Sequence, residues 1–176
     1  AYRRLFPKLF QPFSDMPADL REHARYPEQL FSAQAEIYRT YHMHDAENFY
    51  NKSDLWDLPR AASETEGSVN VSPPNYIIGT LPGSTQPEFL LVTPFTPRGK
   101  DNLIGYMAAR CDGEKLGELV FLQLPKQGMF LGPMQVEARM DQDQVISKDL
   151  TLWNQQGSRV LRGQTIVLPL DDSFLY

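Results

Sequence analysis

The fold is decided by residues 76–93, which read Tyr-Ile-Ile-Gly-Thr-Leu-Pro-Gly-Ser-Thr-Gln-Pro-Glu-Phe-Leu-Leu-Val-Thr. Two runs rich in apolar and aromatic residues, Tyr76–Leu81 and Glu88–Thr93, lie on either side of the pair Pro82-Gly83. Such runs around a Pro-Gly turn signal are typical of a β-hairpin. The sequence therefore predicts a hairpin here, and with it a sheet in the second half of the chain.

Downstream of the hairpin, the pattern predicts two more helices and further strands. Between Asp101 and Gly113, which would cap and end a helix over 102–111, apolar residues recur at the spacing of one helical face. They are Leu103, Ile104, Met107, Ala108 and Cys111. Residues 118–124 form an apolar strand, and alternation of apolar with polar residues over 134–141 predicts a half-buried strand. A helix follows over 145–153, and residues 160–161 and 165–170 are predicted strands.

Upstream of the hairpin, residues 17–57 are predicted to be helical. Pro27 opens a helix that reaches Tyr41, and Asp45 caps another through Tyr50. The predicted fold is α+β, with a helical N-terminal portion packed on a largely antiparallel or mixed sheet that carries two further helices. We predict a single domain over 1–176: a mainly helical portion 1–60, a loop 61–75 and a sheet-containing portion 76–176.

Charge and cysteine content exclude several functional classes. With 17 Lys+Arg against 22 Asp+Glu the net charge is −5, which argues against nucleic-acid binding. The single cysteine excludes an internal disulfide framework and a thiolate zinc site. No nucleophile elbow, zinc-protease, dinucleotide or P-loop motif is present in the sequence. We therefore expect no cofactor, and the sequence does not identify an enzyme.

The first 13 residues combine three cations and four aromatic residues with no acid. This composition fits a segment at a membrane interface, and it equally fits a strap whose aromatic rings pack on the domain. The chain starts without Met and stops in an apolar stretch, so we expect it to be a fragment of a longer protein.

The best candidate for a binding site is the loop 93–102, through Arg98, Gly99, Lys100 and Asn102. If this loop enters a helix N-terminus, its free N–H groups and two cations would bind a small anion such as a carboxylate or phosphate. The competing interpretation is a well hydrogen-bonded connection in which Asp101 caps the helix.

Three other clusters are better explained by structural roles. Imidazoles and carboxylates suit zinc, but His42, His44 and Asp45 lie at a helix end and Asp45 serves better as a cap, so we predict no metal site. Asp141-Gln142-Asp143 lacks the Gly and Glu of a calcium loop, and Asp143 is a natural helix cap. The predicted strand over 134–141 would also carry a polar face made of Gln135, Glu137, Arg139 and Asp141. Such a face is more often the solvated side of a sheet than a ligand-binding surface.

Four stretches together resemble a known bacterial family, uncharacterised protein family 0182. They are His23-Ala-Arg-Tyr-Pro-Glu-Gln-Leu-Phe31, Thr93-Pro-Phe-Thr-Pro-Arg-Gly-Lys-Asp-Asn-Leu103, Gly132-Pro-Met-Gln-Val-Glu-Ala-Arg139 and Leu152-Trp-Asn-Gln-Gln-Gly-Ser-Arg-Val160. The resemblance covers residues 3–176 and implies the soluble region of a large multi-pass membrane protein, on the extracytoplasmic side. It implies no activity, cofactor or catalytic residue.

From this context we expect a non-catalytic module that binds a partner, a ligand or the membrane part of the same polypeptide. The alternative is a membrane-associated, hydrolase-like enzyme whose site is assembled from distant residues. A structural role within a homo-oligomer is a third interpretation.

Overall fold

The computed structural model describes residues 2–62, 69–170 and 173–176. The helices in these ranges are α1 (Tyr2–Leu5), α2 (Ala18–Glu22), α3 (Glu28–Tyr41), α4 (Ala46–Asn51), α5 (Pro133–Gln142) and α6 (Gln144–Trp153). The strands are β1 (Trp56–Asp57), β2 (Arg60–Ala62), β3 (Val69–Val71), β4 (Asn75–Gly79), β5 (Glu88–Pro97), β6 (Gly105–Arg110), β7 (Leu119–Gln123), β8 (Leu168–Leu170) and β9 (Ser173–Leu175). The α+β class and the antiparallel sheet predicted from the sequence are confirmed.

The ten-residue strand β5 is the centre of the main sheet. It pairs along one side with β6, which in turn pairs with β7. Its other side is shared by β4, opposite residues 88–92, and by β1, opposite Thr96 and Pro97. All these pairings are antiparallel, and β4 with β5 forms the hairpin predicted from residues 76–93.

Both faces of the sheet are covered, which explains the apolar character of its central strands. On one face α3 supplies Phe31 and Ala35, which pack against the sheet residues Leu91, Phe95, Met107 and Ala109. On the other face Leu90, Val92 and Ala108 pack with Leu81. Val167, from the C-terminal segment, is buried beside Leu103 and Tyr106. A strand buried on both faces carries apolar residues at nearly every position.

That burial overturns the predicted helix over 102–111. Gly105–Arg110 is strand β6, and all six residues are buried. Gly105 also excludes any side chain, because a Cβ there would lie 2.6 Å from Cζ of Phe121 and 2.7 Å from the Leu122 carbonyl oxygen. The apolar spacing that fits one helical face arises here from a strand with two apolar faces.

Further local predictions need correction. The stretch 17–57, predicted to be helical, ends in strand β1 (Trp56–Asp57). The predicted strand over 134–141 is helix α5, which begins at Pro133. Residues 160–161 are not a strand, and only 168–170 of the predicted strand 165–170 form one. The predicted loop 61–75 contains most of the antiparallel pair β2–β3, while its residues 63–68 lie outside the described ranges. No described helix combines the length and apolar character needed to cross a bilayer.

Candidate functional site

The four residues of the predicted anion site lie in the connection between β5 and β6. Arg98 N–H donates to the Leu55 carbonyl at 2.9 Å, and Lys100 N–H donates to the Pro97 carbonyl at 3.0 Å. Gly99 has φ +71°, a conformation that favours glycine. Arg98, Gly99 and Lys100 are exposed, and Asn102 is half-buried. The helix N-terminus expected to support this site is absent, because strand β6 follows the connection.

The backbone N–H of Gly99 in this connection is already hydrogen-bonded to a carboxylate of the same chain. Gly99 N–H donates to Oδ2 of Asp57 at 3.2 Å, and Oδ1 of Asp57 accepts from Arg39 at 2.8 Å. Arg39 also donates to Glu36 and to the Trp56 carbonyl. The hydrogen bond that Arg39 donates to Glu36 and the charges of both carboxylates raise the pKa of Arg39. An external anion would therefore compete with Asp57 for Gly99, and anion binding here stays a prediction.

His42 is part of an aromatic cluster between α3 and the sheet. Its side chain is only 7% exposed, and its ring stacks on Trp56 with centroids 3.4 Å apart. Nδ1 lies 3.0 Å from the Tyr38 carbonyl, whereas Nε2 has no hydrogen-bond partner in the described ranges and lies 3.9 Å from Oδ2 of Asp54. His42 therefore has a packing role in this structure.

The other residues considered as zinc ligands in the sequence do not converge with His42 on one point. His44 is exposed, and Asp45 accepts from Asn48 N–H at 2.9 Å as the N-cap of α4, as the sequence predicted. Within residues 2–62, 69–170 and 173–176, no three His, Cys, Asp or Glu side chains are placed to hold a metal ion.

The polar residues of 135–141 do not share one face, because they lie on a helix. Glu137 is buried and accepts from Oγ1 of Thr165 at 3.0 Å, whereas Arg139 is exposed. Asp141 pairs with Arg162 at 2.6 Å. Asp143 caps α6, as predicted, by accepting from Val145 and Ile146 N–H at 3.0 Å each.

A buried ion cluster that sequence reasoning missed joins β5 and β6 to the residue just before β7. The Arg110 side chain on β6 is 9% exposed, and it donates to both carboxylate oxygens of Glu88 on β5, at 2.6 and 2.5 Å. Glu118, just before β7, lies 3.5 Å from its Nε. A hydrogen bond from Ser84, and then Arg110, lower the pKa of Glu88. Only the strand register brings these residues together, so no local sequence signal reveals them.

The single cysteine is also shielded. Cys111 is 2% exposed, and burial raises the pKa of its thiol. A thiol with a raised pKa is a poor nucleophile at neutral pH. The predicted inert character of Cys111 thus agrees with its burial, although it follows a strand instead of lying on a helix.

Large apolar side chains are exposed in several parts of the described ranges, among them α6, α3 and the N-terminal segment. Helix α3 exposes Leu30, Ile37 and Tyr41, whose exposed fractions are 48%, 58% and 65%. The N-terminal segment exposes six large apolar side chains by 46–75%: Tyr2, Leu5, Phe6, Leu9, Phe10 and Phe13. This exposure disagrees with the strap interpretation, in which the aromatic rings of the segment pack on the domain.

Comparison with known proteins places the chain in a family. A family model described as uncharacterised protein family (UPF0182) matches residues 1–153. The chain belongs to UPF0182. It is similar to UPF0182 proteins of Solibacter usitatus, at 66% identity over 176 residues, and of Bradyrhizobium diazoefficiens and Desulforamulus reducens, at 50% and 48%. These alignments cover 99–100% of the chain.

The chain is much shorter than these UPF0182 relatives. It spans 19% of the length of each of the three proteins. No solved structure matches the chain.

Proposed function

We propose that the chain is a non-catalytic binding module of a membrane-bound UPF0182 protein, held against the rest of its own polypeptide by helix α3. The observation that carries this proposal is the exposed apolar row Leu30, Ile37 and Tyr41. Contiguous apolar surface on a soluble module marks an interaction site more often than isolated exposed residues do.

The row has the geometry of a seam for a second helix. Its members are seven and four residues apart, and Gln34 fills the intervening turn. Spacings of seven and of three or four residues repeat an apolar stripe along one side of a helix. Phe31, Ala35 and Tyr38 lie on the adjacent side of α3 and already pack on the sheet.

The side chains that flank the row favour a close apolar contact. Ala33 and Thr40 are small, and Gln34 carries no charge and accepts from Tyr26 Oη through its Oε1 at 2.8 Å. A neighbouring helix therefore meets no unpaired charge between Leu30 and Tyr41. Such a charge would be costly to bury.

The size of the row favours a tethered occupant. Three side chains are far fewer than the roughly 20–30 residues a side that stable complexes of separate proteins use. A segment of the same polypeptide needs less contact, because the tether gives it an effective concentration on the order of millimolar. Since the chain spans 19% of its relatives, ample polypeptide exists to supply that segment.

A photo-crosslinker placed in the full-length protein tests this proposal. We would introduce benzoylphenylalanine at Ile37 and, as a control, at the exposed Gln86 in the connection between β4 and β5. We expect Ile37 to crosslink to a peptide outside this chain in the same polypeptide, and Gln86 not to do so. Crosslinks from Ile37 only within residues 1–176, or only to other proteins, would refute the proposal.

The membrane part of the proposal is supported by residues 2–13. Arg3, Arg4 and Lys8 are exposed beside the exposed apolar side chains, and the segment contains no acid. Cations with interfacial aromatic residues suit the surface of an anionic bilayer. We place the module on the extracytoplasmic side, which protease accessibility in intact spheroplasts would test.

Vesicle flotation of the 176-residue chain tests the lipid contact. Each cation near an anionic surface contributes about 1 kcal/mol, so R3Q/R4Q should weaken binding to phosphatidylglycerol vesicles by roughly thirtyfold. R98Q/K100Q removes the same charge elsewhere and should bind like the unsubstituted chain. Equal loss in both double variants would show that only overall charge matters and would refute a dedicated segment.

A further inference from the structure

Strand β7 forms one edge of the main sheet. Within the ranges 2–62, 69–170 and 173–176, β6 is the only strand paired with it. An unpaired edge offers a row of backbone donors and acceptors to any other strand.

The register shows which backbone groups of β7 point outward. Leu124 N–H donates to the Ile104 carbonyl of the neighbouring strand. Leu122 and Val120 lie two and four residues before Leu124, opposite Tyr106 and Ala108. Since hydrogen-bonded positions alternate in antiparallel pairs, the groups of Val120 and Leu122 face β6. The N–H and carbonyl groups of Leu119, Phe121 and Gln123 therefore point away from the sheet, and none of them bonds to another described element.

This edge lacks the features that normally block strand addition. The residues of β7 are Leu, Val, Phe, Leu and Gln, with no charge, proline or glycine among them. Leu119 is 37% exposed, and Val120, Phe121 and Leu122 are only partly buried, which leaves apolar surface for a neighbour to cover. Edges without inward charges, prolines or bulges pair readily with a further strand.

We propose that β7 pairs antiparallel with β7 of a second copy of this chain and so joins the two sheets into one. A two-fold axis through Phe121 places Phe121 opposite its own copy and Leu119 opposite Gln123. These outward-facing positions form three hydrogen-bonded pairs, or about six bonds. Val120 then lies opposite Leu122.

Self-complementarity is the reason for assigning a second copy to this edge. Because the edge is much smaller than a standard protein interface, we expect a weak dimer that depends on about six backbone hydrogen bonds. A two-fold interface needs the same patch to fit itself. No residue of β7 is charged, so no like charges meet, and Glu118 lies opposite Leu124 instead of opposite its own copy. The proposal is independent of the tethered contact at α3, because the two surfaces share no residue.

Light scattering with size-exclusion chromatography tests the proposal on the 176-residue chain. We expect a species of twice 20.1 kDa that dissociates on dilution between about 500 and 5 μM. Q123P removes an outward N–H without breaking a bond to β6, and it should raise the dimer dissociation constant about tenfold or more. A monomer throughout this range would overturn the proposal.

A pair of lysine variants separates this edge from other surfaces. L119K places a charge on the edge and should give a monomer with an unchanged circular dichroism spectrum. I78K places the same charge on β4, where Ile78 is 74% exposed, and should leave the dimer intact. A dimer that survives L119K, or that I78K abolishes, would overturn the proposal.

Discussion

The buried Arg110–Glu88 pair gives the strongest test of the energetics of this fold. In Arg110→Met an unbranched apolar side chain replaces the aliphatic stem of the arginine, and the guanidinium that donates to both Glu88 oxygens at 2.6 and 2.5 Å is lost. Breaking a buried pair by removing one partner costs about 3–5 kcal/mol. Since the Glu88 side chain keeps 18% exposure and its bond from Ser84, we expect the lower end, about 3 kcal/mol at pH 7.

Urea unfolding followed by circular dichroism measures this cost. For a chain of this size about 3 kcal/mol corresponds to a melting temperature lower by roughly 6–12 °C. Glu88→Gln should also destabilise, and the double variant should lose at least about 1 kcal/mol less than the sum of the two single losses. Additive losses, or an Arg110→Met variant within about 0.5 kcal/mol of the unsubstituted chain, would refute the ion pair as a stabilising contact.

The pair also predicts how the destabilisation caused by Arg110→Met changes with pH. The pKa of Glu88 is lowered in the folded state. The ionised carboxylate therefore stabilises the folded state fully above the ordinary carboxyl pKa, and this stabilisation is lost as the pH falls through the lowered pKa. In Arg110→Met the carboxyl loses its cation and takes up a proton more readily. We therefore expect the cost of the substitution to be smaller at pH 4 than at pH 7. An equal cost at both values would contradict this reasoning.

Three further predictions concern Gly105, Asp143 and the connection between β5 and β6. Gly105→Ala should cost about 2 kcal/mol in urea unfolding, because its Cβ would lie 2.7 Å from the carbonyl oxygen of Leu122; an unchanged midpoint would contradict the close approach. Asp143→Ala should cost about 1 kcal/mol and Asp143→Asn almost nothing, since asparagine also caps; equal losses would argue against the cap. If Arg98 and Lys100 bind anions, inorganic phosphate should raise the melting temperature of the unsubstituted chain but not of R98A/K100A, and equal responses would show the anion-site prediction to be wrong.

Local signals predicted the elements whose character is set within a few residues. Pro27 correctly marks the start of α3, and Asp45 and Asp143 correctly mark two N-caps, because a cap acts on N–H groups two or three residues away. Pro82-Gly83 marks the hairpin because a turn also depends on the backbone conformation of only a few neighbouring residues. Caps and turns depend on local backbone preferences, which are the same whatever part of the protein packs against them.

Predictions failed where burial on both sides decided the structure. β6 is enclosed by two cores, so its apolar residues follow no single period and resemble a helical face. In α5, Met134 and Val136 alternate with polar residues, but Pro133 at the first turn and the hydrogen bond from Gly132 N–H to Gln135 Oε1 favour a helix start instead. The Arg110 cluster was missed because 22 residues separate its partners, and no short-range pattern encodes that distance.

The proline in the middle of β5 has a consequence for how the molecule unfolds. Cys111 N–H donates to Phe89 O, so the odd-numbered residues of β5 face β6 and Pro94 turns its ring nitrogen to the opposite side. There β4 has ended opposite Val92 and β1 begins opposite Thr96, so the missing donor interrupts neither pairing. One continuous strand thus joins the N-terminal helices to the hairpin and to β6. We expect the N-terminal helices and the main sheet to unfold in one cooperative transition, with the slowest hydrogen exchange at β5.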